Sequence, residues 1–145
     1  MNRSSALLVF VVAFTAFATS QLFGARPAAA PPSVFTDIGA TAAPLTPVYY
    51  SSVALGDYNS DGKLDVLLTG YTGSARVSQI YKNNGDGTFT EDTTADSGLT
   101  GVSSSSVAWG DYNLDGKLDI VLTGNDAASN QVAKLYTQNS SGVFQ

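Results

Sequence analysis

The sequence predicts an all-β protein: two four-stranded antiparallel repeats of propeller-blade type, too few to close a propeller, preceded by a signal peptide. Three observations carry this. The 145 residues include 14 Gly and 5 Pro, with 10% aromatic and only 13% charged residues, a turn-rich composition that suits strands better than a helical bundle. Phe35–Gly70 laid over Phe89–Gly124, an offset of 54 without a gap, gives 21 identities in 36 positions. Within each copy, short apolar runs are separated by turns rich in Asn, Asp and Gly.

The N-terminal elements come first. Arg3 is followed by the uncharged run Ala6–Ala18 and then by small residues, the order of a signal peptide over residues 1–20. The run is shorter than the ~20 residues that cross a bilayer, although the uncharged stretch Ser4–Ala25 keeps an uncleaved anchor as the alternative. Residues 21–33 form a Pro/Ala-rich linker, extended because each Pro fixes φ and lacks an N–H. Repeat 1 then occupies residues 34–88, and repeat 2 residues 89–145 with the start of a third unit.

In the first copy the predicted strands are Val48–Leu55, Leu64–Thr69, Ala75–Lys82 and Thr88–Asp92. In the second they are Val102–Trp109, Leu118–Thr123 and Gln131–Thr137, with a fourth beginning as the chain ends. Leu64, Val66 and Leu68 alternate with Asp65, Leu67 and Thr69, so both faces carry apolar residues, as in a sheet covered on both sides. Asn83-Asn84-Gly85-Asp86-Gly87 is a hairpin loop, since Asn and Gly accept positive φ.

Charge and composition exclude several functions. Twelve acidic residues against seven basic ones leave a net charge of −5, which argues against nucleic acid or an anionic membrane as partner beyond the N-terminal segment. With no His and no Cys there is no imidazole base, no thiol nucleophile, no disulfide and no zinc site of the Cys/His kind. Glu91-Asp92 is not a catalytic pair, because neighbours on a strand point to opposite faces.

Six of the 12 acidic residues fall in two matching loops. Asp57, Asn59, Asp61 and Asp65 stand at positions 1, 3, 5 and 9 of the first, with Gly62 at position 6. Asp111, Asn113, Asp115 and Asp119 repeat the spacing around Gly116. This is the first nine-residue pattern of an EF-hand-type calcium loop. The glycine permits a sharp turn that folds alternating oxygen-bearing side chains around one point. The carbonyls of Lys63 and Lys117 supply the oxygen at position 7, with their side chains expected to point outward. Leu68 replaces the Glu of position 12 and no helical pattern flanks the loop, so the expectation is Ca²⁺ held between strands, in two sites. A polar β-turn is the alternative for one copy alone, since Asp, Asn and Gly favour turns anyway, and the repetition weighs against it. The ions would be structural, replacing the missing disulfides.

These residues resemble the FG-GAP/VCBS-type repeats of secreted bacterial proteins and of the integrin α-subunit propeller. Val53–Asp65 and Val107–Asp119 match the Val-Ala-x-Gly-Asp-x-Asn-x-Asp-Gly-x-x-Asp pattern, and Tyr81–Phe89 matches its Tyr-x-Asn-Asn-Gly-Asp-Gly-Thr-Phe hairpin. The resemblance covers Phe35–Gln145 and implies four-stranded blades with calcium in the loop between the first two strands. The literal Phe-Gly and Gly-Ala-Pro words are missing, and Tyr136–Phe144 lacks the acidic turn, so Asp86 is not expected to be a ligand.

The expected function is a secreted, non-enzymatic calcium-binding module for adhesion or recognition of an extracellular protein or carbohydrate, at the cell surface if the N-terminal segment stays. The alternative is the N-terminal repeat region of a larger secreted enzyme, carbohydrate-active for instance, with its active site elsewhere. Two blades leave apolar faces uncovered. That implies further units beyond Gln145, favoured because the chain ends inside an expected strand, or self-association through those faces. Trp109 is expected in the core, while Tyr49-Tyr50 is either an exposed aromatic site or packed on a neighbouring sheet.

Overall fold

The computed structural model describes residues 45–145, so the expected signal peptide, the expected linker and the start of repeat 1 lie outside the described residues. Four strands run in order across the first antiparallel sheet: β1 (Tyr49–Gly56), β2 (Asp65–Tyr71), β3 (Arg76–Asn83) and β4 (Phe89–Glu91). A 3₁₀ turn at Ala95–Gly98 leads to the second sheet, β5 (Ser103–Gly110), β6 (Asp119–Asn125) and β7 (Gln131–Tyr136). The second sheet therefore has three strands where four were expected. In place of the fourth, Thr137 and Gln145 exchange N–H···O bonds of 3.1 Å around a single Gln138–Phe144 bridge, too brief a pairing to extend as a strand. Phe89, which opens the second sequence repeat, sits in β4 of the first sheet, so sequence repeat and sheet are out of phase.

Both sheets use the same register. Leu55 faces Val66, Val53 faces Leu68, and Leu67 faces Ile80, while Trp109 faces Ile120, Val107 faces Leu122, and Val121 faces Leu135. The first strand of each is interrupted at the same place, where Tyr50 (φ 50°) and Ser104 (φ 48°) turn left-handed.

Because side chains alternate across a strand, β2 divides its apolar residues between two cores. Leu67 and Ile80 join Val102, Ile120, Leu122, Tyr136 and Phe144 in the core between the sheets. Val66, Leu68 and Tyr81 pack under Leu45, Val48 and Phe89 on the far face. Each sheet is strapped by the residues before its first strand. The Tyr81 hydroxyl meets the Thr46 N–H at 3.0 Å and Oγ1 at 2.8 Å. One repeat on, the Tyr136 hydroxyl meets the Thr100 N–H at 3.0 Å and Oγ1 at 2.9 Å.

The sheets meet head to tail: the Leu67/Ile80 face of the first covers the Ile120/Leu122 face of the second. Tyr58 stacks on Trp109, with ring centroids 6.1 Å apart and planes 8° from parallel, and Phe144 tilts against Trp109 at 5.7 Å. Trp109 thus lies at the junction, as expected of a core residue, whereas Tyr49 and Tyr50 are both exposed. Polar ties flank the apolar contact. Thr69 Oγ1 and Ser105 Oγ are 2.7 Å apart, the Ser78 hydroxyl donates to the Thr100 carbonyl at 2.7 Å, and Arg76 Nε donates to Ser103 Oγ at 3.0 Å.

Candidate metal centre

The two acidic loops join β1 to β2 and β5 to β6, at the same end of their sheets. Their backbones match: Ser60 (φ 59°) and Leu114 (φ 60°) are left-handed, followed by Gly62 (φ 83°) and Gly116 (φ 85°). A left-handed residue two before a left-handed glycine curls the loop so that its N–H groups point inward. In the first loop Asp57 Oδ1 accepts the Asp61 N–H at 3.0 Å and Oδ2 the Gly62 N–H at 2.8 Å, while Asn59 Oδ1 also accepts from Asp61 at 2.9 Å. The second loop repeats this, with Asp111 accepting from Asp115 at 3.0 Å and Gly116 at 2.9 Å, and Asn113 from Asp115 at 3.0 Å.

The ninth residue of each loop is buried at the start of the following strand. Asp65 Oδ1 accepts the Asn83 N–H at 2.8 Å, and Asp119 Oδ1 the Gln138 N–H at 3.3 Å. The copies then diverge. Asp119 Oδ2 accepts the Tyr112 N–H at 3.1 Å, whereas Asp65 Oδ2 is buried without a hydrogen-bond partner, as is Asn59 Nδ2. Burial pushes the Asp65 carboxyl above the usual carboxylate range; the Asn83 N–H and the nearby Tyr58 N–H, which falls short of a full hydrogen bond, oppose this, and the negative charges of Asp61 and Asp57 add to it.

The lysines also differ from expectation. Lys63 Nζ turns back to Asp61 Oδ2 at 3.1 Å rather than pointing outward, and holds the Asp61 carboxyl below its ordinary range. Lys117 Nζ instead donates to the Asn139 carbonyl at 3.1 Å. A hydrated ammonium competes only weakly for an exposed carboxylate, and Lys63 is the nearest cation to a loop rich in negative charge.

The structure thus brings Asp57, Asn59 and Asp61, and likewise Asp111, Asn113 and Asp115, onto the inner side of one turn each, with Asp65 and Asp119 closing the strand side. As the side chains stand, no three carboxylates among the described residues are gathered tightly enough to hold a metal ion. Each engaged carboxylate oxygen keeps a second lone pair, and the all-oxygen donor set is that of a hard divalent cation. The unpartnered Asp65 Oδ2, buried and pressed by like charge, is the atom such an ion would satisfy. By this measure the residues fit Ca²⁺.

Sequence reasoning missed Tyr58. It sits between two expected ligands but turns inward, donating its hydroxyl to Asp92 Oδ2 at 2.6 Å. Burial and the Asp92 carboxylate push the phenol well above its ordinary value. Burial opposes ionisation of Asp92, but the Tyr58 hydroxyl and the N–H groups of Ala95 and Thr94 outweigh it, leaving that carboxyl below its usual range. Beside the first loop, Tyr58, Asn59, Lys82, Asp92, Lys117 and Asn139 help line an open polar cleft of about 350 Å³ between the sheets.

No curated protein and no solved structure matches the chain. Residues 57–122, from the first acidic loop into β6, match the family model of the FG-GAP-like repeat, in agreement with the two blade-like antiparallel sheets.

Proposed function

We propose that the chain is a secreted, non-enzymatic module for adhesion or ligand recognition whose repeats are held by two structural calcium ions. The observation that carries this reading is the pair of acidic loops with matching backbone and hydrogen bonds, one of which leaves a buried carboxylate oxygen unpartnered. Asp57, Asn59, Asp61, the Lys63 carbonyl and Asp65 would hold one ion, and Asp111, Asn113, Asp115, the Lys117 carbonyl and Asp119 the other. The ion supplies positive charge, and with it relief of repulsion among carboxylates that the fold places at one turn. The loops themselves contribute a preformed bend that the bound ion need not impose. The polar cleft between the sheets is where a ligand with hydrogen-bonding groups, a sugar or a peptide, would find both donors and acceptors.

The stability at stake is substantial. Extracellular calcium modules bind with dissociation constants of ~10⁻⁴ to 10⁻³ M. At ~2 mM free calcium and a constant of ~10⁻⁴ M, each site adds ~1.8 kcal/mol. Chelator should therefore lower the melting temperature by roughly 14–29 °C when both sites are lost, and Asp61→Ala combined with Asp115→Ala should abolish the difference. Calorimetric titration should return two sites in the native protein and none in the double variant. An identical melting curve with calcium and with chelator overturns the proposal.

A further inference from the structure

The nine large apolar side chains exposed among the described residues are not scattered. Six of them, Tyr49, Val53, Leu55, Tyr112, Val121 and Leu135, occupy positions whose counterparts one repeat away lie at the junction between the two sheets. Two separate faces result. On the first sheet, Val53 and Leu55 are each 60% exposed, while their counterparts Val107 and Trp109 pack against the inter-sheet core. On the second sheet, Tyr112, Val121 and Leu135 are 63%, 50% and 44% exposed, while their counterparts Tyr58, Leu67 and Ile80 are 4%, 0% and 0% exposed within that core.

These faces are the two halves of an interface the molecule already contains. Inside the chain, the Tyr58/Leu67/Ile80 face of one sheet covers the Val107/Trp109 face of the next. The uncovered face of the second sheet has the composition and register of the covering half, and the uncovered face of the first sheet that of the covered half. Even the polar ties have counterparts: Thr69 and Ser105, which bond across the junction, correspond to Thr123 and Ser51. Because the two faces differ, a contact between them is heterologous, and repeating it closes a ring or runs on as a filament.

We infer that a second copy of this chain docks head to tail, with the Tyr112/Val121/Leu135 face of one copy on the Val53/Leu55 face of the next, reproducing the internal junction between copies. The occupant is a second copy, not an unrelated partner, because the surface that fits each face is present on the same molecule. The inference is independent of calcium: it rests on the sheet faces, and the acidic loops lie at the sheet ends.

The test is sedimentation velocity of the full 145-residue chain across a wide concentration range, in calcium and in chelator. The expected result is a species larger than the monomer whose share grows with concentration. Leu135→Lys and Leu55→Lys should each abolish it while leaving far-ultraviolet circular dichroism and Trp109 fluorescence of the monomer unchanged. Mixed together, these two variants still offer one intact face of each kind, so the mixture should form a 1:1 dimer that grows no further. Four results overturn the inference. One is a chain that stays monomeric at the highest concentration, and another is association that neither substitution changes, which places the contact elsewhere, the apolar N-terminal run included. The third is a mixture that remains monomeric, and the fourth is a variant whose monomer unfolds, which means that its face is already covered within the chain.

Discussion

Leu67 and Val121 occupy the same position in the two repeats, facing Ile80 and Leu135 across their respective sheets, yet the structure assigns them opposite energetic weight. Leu67 is fully buried between the sheets, and Val121 is half exposed. Leu67→Ala removes buried carbons and leaves a cavity walled by packed side chains of both sheets. Such truncations cost about 2–5 kcal/mol, and with neighbours as large as Phe144 and Ile120 around it the site has little freedom to collapse. We expect about 3 kcal/mol, which for a domain near 100 residues lowers the melting temperature by about 12–24 °C. Val121→Ala, measured in protein dilute enough to be monomeric, should cost no more than about 0.5 kcal/mol, the range of ordinary surface substitutions. The assay is urea unfolding followed through the emission of Trp109, the sole tryptophan, which lies at the junction and stacks on Tyr58. Equal costs at the two positions in dilute protein would refute the assignment of faces and, with it, the head-to-tail packing of the sheets.

Two further substitutions probe the same junction. Asp92→Asn weakens the bond from Tyr58 and should cost about 1 kcal/mol near neutral pH, discounted from the usual value for a charged acceptor because Asp92 is partly exposed. The Asp92 carboxyl is held below its ordinary value, so its contribution is complete above the unfolded pKa of about 3.9 and is lost as pH falls through the folded value. Melting temperatures of the two proteins should therefore converge on acidification, and a gap that widens instead contradicts the sign. Gly101→Ala would drive a Cβ into the Arg76 carbonyl oxygen, next to the Val77–Val102 bridge that joins the sheet edges. The backbones must part, at a cost of about 2 kcal/mol, and an unchanged urea midpoint would show that the edges are not in contact there.

Much of this architecture was legible because local chemistry and repetition agreed. The expected strand Leu64–Thr69 is observed as Asp65–Tyr71 and Ala75–Lys82 as Arg76–Asn83, and the others fall within a residue or two, since Gly and Asn mark each turn. The acidic loops were read correctly as bends between strands, and the burial of Asp65 and Asp119 follows from their place at the strand start. What was not legible depends on contacts distant in sequence. Nothing local says that Tyr58 turns inward to Asp92, 34 residues on, instead of outward like Tyr112. The 3₁₀ turn at Ala95–Gly98 is stabilised from outside its own segment, the Asp96 carboxylate accepting the Ile80 N–H at 3.2 Å. The Thr46–Tyr81 latch was within reach of a closer reading, because Thr100 and Tyr136 repeat it at nearly the same separation. Paired repetition of this kind marks contact even when single residues do not.

Position in the array, more than sequence, decides what each residue of a repeat does. A unit that buries one face on its neighbour and offers the other onward has a stability that is partly its neighbour's. Residue size follows this division. At the covered junction the chain places Trp109 where the open face has Leu55, and Leu67 and Ile80 where the open face has Val121 and Leu135. The open faces thus carry less apolar bulk at Leu55 and Val121 but are not polar, as a surface meant only for water would be. Burial free energy scales with apolar area, so a junction formed between copies should be weaker than the one within. Graded packing of this sort lets the fold of each chain form first and leaves association to concentration.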